Sequence, residues 1–501
     1  MRLSWNLFAG LTNSAWTALV GVMATPFYLH YLGIESYGLV GFFTTLLALL
    51  TLLDLGLSPT MSREVARHTA FGDTDGVRHL LRSLEFLYWV VAVLLGVVLL
   101  LASGWIGRHW LQSNRLAPSD VVRAVMLMAI IVAVRWPIGL YASTLMGAQR
   151  LAIVSGISII IVTVGATGAI LVLAVFSPTI RAFFIWQVGI GLAHVVLVRW
   201  AAWNSLGGRR CSKFQLHALR RIWRFSAGLG LVTITGVFLT QFDKVLLSRL
   251  VGLDAYGRYM LATLLASGLY LFVTPVFNVL YPRFSALVAA GESHHLSELY
   301  SVATRLLATL VFPVAIAIST FSEPIVRLWT HDPALAAQVA PVLSFLILGA
   351  ALHGIMFVPY ALQLAHGEIR LVLSINLVLI ALYMPLVMIL TKLYAETGAA
   401  MAWFVFHCLY FSIGTWLTHR YLLKDHGLGW LSRNVGIPLL ASLFVALVVR
   451  KLAEQQGTSG IGDLVCASVV VAAAALLSLA MSPVLRRTLA DIWRAKSRNH
   501  D

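Results

Sequence analysis

Apolar residues fall along this chain in blocks of about 20, each long enough to cross about 30 Å of hydrocarbon as a helix. Short polar and basic stretches separate them. Twelve blocks lie at 5–29, 39–62, 84–103, 121–145, 152–176, 181–199, 225–248, 257–281, 302–321, 337–363, 371–391 and 398–418. Two more follow at 434–450 and 463–482, which makes fourteen expected spans. The ten-residue alternation of a membrane-spanning barrel is missing, so the predicted fold is an all-α integral membrane protein. No connecting stretch is large enough to fold by itself. The expected organisation is a six-helix lobe at 1–203, a basic linker at 204–224, a second six-helix lobe at 225–420, two further helices within 421–485 and a tail at 486–501.

Composition agrees with that pattern. The 501 residues are 59% hydrophobic and 11% charged, whereas soluble domains carry about 25% charged residues. The formal charge of +16 would suit nucleic acid, but the cations sit in short segments between spans, where they set topology. With the N-terminus inside, 24 lysines and arginines fall on the inner side and 10 on the outer, with Arg135 and Lys244 inside spans. Both termini are therefore expected in the cytoplasm, and nucleic acid is not an expected partner. The first apolar run is too long for a signal-peptide core and reads as a retained helix. Three cysteines, Cys211, Cys408 and Cys466, suggest neither a disulfide framework nor a metal site.

The chain repeats itself. "GIESYG" at 33–38 lies between spans one and two, and "GLDAYG" at 252–257 between spans seven and eight, an offset of 219. Glu35 matches Asp254, Tyr37 matches Tyr256 and Gly38 matches Gly257. "GAQRL" from Gly147 and "GEIRL" from Gly367 follow spans four and ten, and Arg63 and Arg283 are also 220 apart. Six spans per copy is an even number, so the copies face the same way across the membrane, two pseudo-symmetric lobes related by an axis along its normal. Such lobes can flank a cleft. Glycines at these turns also serve positive backbone angles.

Polar groups inside spans mark candidate chemistry. Arg135 in "AIIVAVRWPIGLY" lies near the bilayer midplane, where a cation costs at least about 2.5–3.5 kcal/mol, so it should face protein or water. Trp136-Pro137 implies a kink beside it. Arg135 is thus a ligand for an anion or half of a buried charge pair. Thr51, Asp54 and Ser58 share one helix face, and Gly56 and Pro59 loosen that end. Asp54 is a candidate to pair with Arg135, to bind a coupling cation or to cap nearby backbone. Asp243 and Lys244 sit in the outer third of span seven. Lys244 shares a face with Thr240, Gln241 and Ser248, as a hydrated cleft requires, and can snorkel toward water. Asp243 is turned off that face. Asn13 and Asn278 complete the substrate-binding candidates, Asp54 and Asp243 the ion-coupling ones. His353, Asn376 and His407 read better as helix-contact residues.

No phosphate-cradling loop, His-Glu-x-x-His or nucleophile elbow appears, so no enzyme, cofactor or metal is expected. With these motifs in view, "YLGIESYGLVGFFTTLLALLTLLDLGLSPTMSREVAR" (31–67) resembles the first two helices of polysaccharide transporters of the multidrug, oligosaccharidyl-lipid and polysaccharide exporter superfamily. "TQFDKVLLSRLVGLDAYGRYMLA" (240–262) resembles that family's seventh span and the turn after it. The likeness is greatest to O-antigen and exopolysaccharide flippases, since span one lacks the arginines of lipid II flippases. It implies twelve core helices plus two. It also implies passage of an undecaprenyl-diphosphate-linked oligosaccharide across the bacterial cytoplasmic (inner) membrane by alternating access, for lipopolysaccharide or exopolysaccharide. Membrane lipids, a polysaccharide polymerase and glycosyltransferases are the implied partners. The competing readings are a cation-coupled drug or metabolite antiporter, which would not need Arg135, and a membrane oligosaccharide polymerase, which would carry a long catalytic outer loop. A scaffold in an envelope complex is a third.

Overall fold

The computed structural model describes residues 2–54, 56–71, 73–207, 234–423, 427–457, 459–482 and 486. Cys211, most of the 204–224 linker and nearly all of the 486–501 tail lie outside them. Among the described residues the chain is helical, with one isolated parallel bridge between Gln112 and Gly252. Among the described residues eleven helices are long and apolar enough to cross a membrane, where the sequence predicts fourteen spans. Two of the eleven are double-length. Helix α1 (Arg2–Leu50) carries span one and the first half of span two and breaks at Gly33, whose φ of 75° is the left-handed backbone a glycine takes freely. Helix α14 (Ile369–Leu422) carries spans eleven and twelve and breaks at Tyr394 and Ala395. At 1.5 Å per residue its 54 residues would reach about 80 Å unbroken, far beyond one bilayer core. The span predicted at 225–248 is described only from residue 234, as helix α8 (234–250).

The chain divides into two compact units, Met1–Gly257 and a second from Arg258 onward. In the first, α1 packs on α6 (Leu151–Leu171), and Trp16 Nε1 donates to Thr163 Oγ1 at 2.8 Å. Helix α2 (Leu57–Ala70) packs on α5 (Ile138–Gly147), and α3 (Thr74–Trp105) on α4 (Pro118–Arg135). Helix α7 (Ile180–Ser205) lies against α4, α5 and α6. Their shared core holds Leu81, Leu84, Tyr88, Leu140, Tyr141 and Val198, all buried. Pro137 separates α4 from α5. It has no N–H to continue the ladder, so the kink expected from the sequence is present.

The repeat motifs meet inside this first unit. Helix α9 (Leu253–Ser267) begins in "GLDAYG". A Cβ on Gly38 would lie 2.2 Å from the Leu253 carbonyl oxygen, and one on Gly257 would lie 2.4 Å from that of Ile34. Residues 34 and 253, like 38 and 257, are 219 apart. The contact is reciprocal, each motif presenting the same glycine to the same carbonyl of the other. Tyr37 and Tyr256 are both buried, and Tyr256 shares a 2.8 Å hydrogen bond with Thr45 Oγ1. The two motifs, each with its buried tyrosine, therefore meet at one crossing. Glu35 seals the crossing by accepting the backbone N–H groups of Asn114 and Arg115 at 2.6 and 2.9 Å.

In the second unit α13 (Pro333–Ala365) packs on α14, α10 (Tyr270–Ala290) and α11 (Ser293–Thr320). The two further helices, α16 (Ile437–Gln456) and α17 (Ile461–Ala480), rest on α11. Arg305 ties that face together, donating to Asn434 Oδ1 at 2.9 Å and Ser482 Oγ at 3.0 Å.

Candidate functional site

Arg135 is the last residue of α4, immediately before the Pro137 break. Its Nη2 donates to Gln187 Oε1 of α7 at 2.9 Å, and its guanidinium carbon lies 5.6 Å from the centre of the Phe43 ring. Gly191, one turn along α7, lies beside it; a Cβ there would sit in ordinary contact with Arg135 Cγ and Nε at 3.5 Å. No carboxylate lies within ion-pair distance of Arg135 among the described residues. Arg135 Nε and the neighbouring Trp136 Nε1 are both buried and both lack a hydrogen-bond acceptor among them. Two adjacent buried donors without acceptors, one of them charged, suit a ligand or water rich in acceptor oxygens.

Asp54 is not Arg135's partner. After α1 the chain makes a single 3-10 turn at Thr51–Asp54 and restarts as α2 beyond Gly56, whose φ is 76°. Asp54 caps that restart. Its Oδ2 accepts the Ser58 backbone N–H at 3.0 Å, and its Oδ1 accepts the Ser58 hydroxyl at 2.7 Å and the Tyr88 hydroxyl at 2.5 Å. The Tyr88 ring in turn stacks on Trp136, centroids 5.9 Å apart. Of the alternatives open for Asp54, capping is the one its geometry displays. Through Tyr88 and Trp136 it braces the helix break that carries Arg135.

Asp243 and Lys244 answer each other. Lys244 Nζ folds back to donate to the Thr240 carbonyl at 2.7 Å, and lies 3.5 Å from Asp243 Oδ1. At 9% exposure Lys244 does not snorkel. Ser248, expected on the same wetted face, is buried and accepts the Trp110 Nε1–H at 3.0 Å. Gln241 is half-buried on α8 and Asn13 half-buried on α1, its Oδ1 without a partner among the described residues. Asn278 is exposed on α10 in the second unit. His353 engages the Tyr270 hydroxyl at 2.6 Å, and its ring centre lies 4.8 Å from that of His407 on α14, so both serve helix contacts.

Sequence reading missed Glu85. This buried carboxylate accepts from Arg199 Nε at 2.6 Å, Arg82 Nη1 at 3.1 Å and the Tyr141 hydroxyl at 2.8 Å. Its partners come from α3, α5 and α7. The available signal was one acid inside "RSLEFLYW", the start of an otherwise apolar span.

A multi-pass helical chain with a braced arginine at a helix break inside a span is built like a membrane transporter. Solved structures bear out that fold. The chain is similar to the lipid II flippase MurJ in an inward closed conformation, with TM-score 0.66, 14% identity and coverage of 95% of this chain and 98% of that one. It is also similar to an inward-facing multidrug resistance transporter of the MATE family, with TM-score 0.63, 14% identity and coverage of 85% and 99%. Residues 6–288 match the family model described as "Polysaccharide biosynthesis protein", more than half of the chain, and residues 217–389 match the MatE model. The chain belongs to the polysaccharide biosynthesis protein family. A candidate O-antigen transporter of Shigella flexneri is 21% identical over 401 residues, 80% of this chain and 92% of that protein.

Proposed function

We propose that this chain is a flippase. It carries an undecaprenyl-diphosphate-linked oligosaccharide from the inner to the outer leaflet of the bacterial cytoplasmic membrane by alternating access, for surface polysaccharide synthesis. It works without catalysis of its own. Both termini are cytoplasmic, by the excess of 24 over 10 basic residues. Glycosyltransferases build its cargo and a polymerase extends it.

The supporting observation is Arg135. A guanidinium inside a span, hydrogen-bonded to the neutral Gln187 and backed by the Phe43 ring, is a cation without a counter-charge among the described residues. A diphosphate supplies one, and the planar fork matches its oxygens in pairs. The drug-antiporter reading leaves this cation unexplained. Lys244, already neutralised by Asp243, is a secondary contact at most, and Asp243 is the better candidate for ion coupling.

Replacing Arg135 tests the proposal. Arg135→Ala removes a charge-assisted hydrogen bond worth roughly 1.5–3 kcal/mol, or about ten- to a hundredfold in cargo affinity. Surface glycan should fall accordingly while membrane protein stays at wild-type level, and Arg135→Lys should recover only part. Normal glycan export by a well-expressed Arg135→Ala protein would overturn the assignment.

A further inference from the structure

The first unit holds a second arginine site, away from Arg135. Between α3 and α7 lies a cavity of about 650 Å³, bordered by Arg82, Phe86, Trp89, Leu192, Val196 and Arg199, with Glu85 at its base. That volume lies within the roughly 300–1,000 Å³ of small-molecule sites. Its walls continue into the apolar stripes of the same helices. Phe86, Val90, Val93 and Leu94 on α3, and Leu192 and Val196 on α7, are all exposed. On a membrane-spanning chain such stripes face hydrocarbon, so the groove opens toward lipid.

Its polar end is chemically distinct. Two guanidiniums converge on one carboxylate, so among the described residues the cluster carries one net positive charge. Arg199 engages Glu85 through Nε, and its side chain stays 34% exposed; that of Arg82 is 46% exposed. Trp89 donates to the Tyr141 hydroxyl at 3.2 Å, and Trp200 is exposed one residue past Arg199. Arginine and tryptophan at a span end mark the headgroup level, and basic pockets between spans suit anionic headgroups.

We propose that this groove binds an anionic phospholipid, its phosphate held by Arg82 and Arg199 and an acyl chain lying along Phe86, Leu192 and Val196. One net positive charge matches one phosphodiester. The assignment does not depend on the transport reading, and it stands or falls separately from the role of Arg135.

Native mass spectrometry of the purified full chain, titrated with phosphatidylglycerol or phosphatidylcholine, tests it. The wild type should retain one phosphatidylglycerol at concentrations where phosphatidylcholine is lost. Arg82→Gln leaves Glu85 its Arg199 and Tyr141 partners and should weaken phosphatidylglycerol about tenfold, the loss of one charged hydrogen bond. Leu192→Trp fills the groove without touching a charge, and should weaken it comparably. Either variant alone suffices if the other does not fold. Equal retention of the two lipids would overturn the proposal. So would a folded Leu192→Trp protein that holds phosphatidylglycerol as wild type does, or displacement of the lipid by equimolar glycerol phosphate.

Discussion

The reciprocal glycine contact makes a quantitative prediction. In Gly38→Ala the new methyl would sit 2.2 Å from the Leu253 carbonyl oxygen, and in Gly257→Ala 2.4 Å from that of Ile34. Both obstacles are backbone atoms in helical turns and cannot rotate aside. The two segments must separate by about 1 Å, an overpacking strain that typically costs about 1–3 kcal/mol. Because the crossing is shared, the separation forced by one methyl makes room for the other. The double variant should therefore cost less than the sum of the singles, with a coupling on the order of 1 kcal/mol. Thermal denaturation of the detergent-solubilised protein, read as the folded fraction surviving on size-exclusion chromatography, measures all three. Gly156→Ala and Gly189→Ala, where a Cβ would meet nothing within 4 Å, are the controls. A Gly38→Ala protein that melts with the wild type, or single effects that simply add, would refute the shared crossing.

Three further outcomes follow from local geometry. Glu85→Gln leaves Arg82 and Arg199 facing a neutral amide and should destabilise the first unit by about 2 kcal/mol, less than for a fully buried pair because both arginines are part-exposed; an unchanged melting temperature would remove Glu85 as an organiser. Ala395 has φ 49° in the α14 break, a conformation that costs a residue with a side chain roughly 1–3 kcal/mol; Ala395→Gly should raise thermal stability, and a fall would show the strain to be absent. Asp73, in the turn before α3, accepts the Gly76 N–H and contacts His68, and these hydrogen bonds hold its carboxyl below the usual range. A depressed value stabilises the ionised cap above the ordinary aspartate range and is lost as pH falls through it, so Asp73→Ala should cost about 1 kcal/mol at neutral pH, and much less in acid, by melts at the two pH values.

Much of the fold is readable in the sequence because hydrocarbon leaves little choice. A span must be a run of apolar residues, and its breaks must fall where the ladder cannot continue, at Gly33, Gly56 and Pro137. The number of separate helices was harder, because a turn as tight as Tyr394–Ala395 lets two spans pass as one helix. Site residues were legible only where one residue carries the signal. Arg135 stands out because a lone cation in a span is rare. Glu85 did not, because its meaning lies in Arg199 and Tyr141, far away in sequence and on other helices. Asp243 and Lys244 show the opposite limit. Helical spacing put them on different faces, but a lysine side chain is long enough to curl back to its own neighbour, and periodicity says nothing of that.

The meeting of "GIESYG" with "GLDAYG" also bears on how the two halves of this chain have been free to drift. Most of each copy packs against its own surroundings, and a change there is judged once. At the crossing the same short motif is both surfaces of an isologous contact, so a change in either copy is tested against the other. The second matching pair shows the contrast. Gly147 is held by close packing on Ser62 and Val65, whereas Gly367 is held by a positive φ of 72°, two unrelated demands that leave similar letters. Only at Gly38 and Gly257 is the likeness enforced by the likeness itself, a symmetry that polices its own sequence.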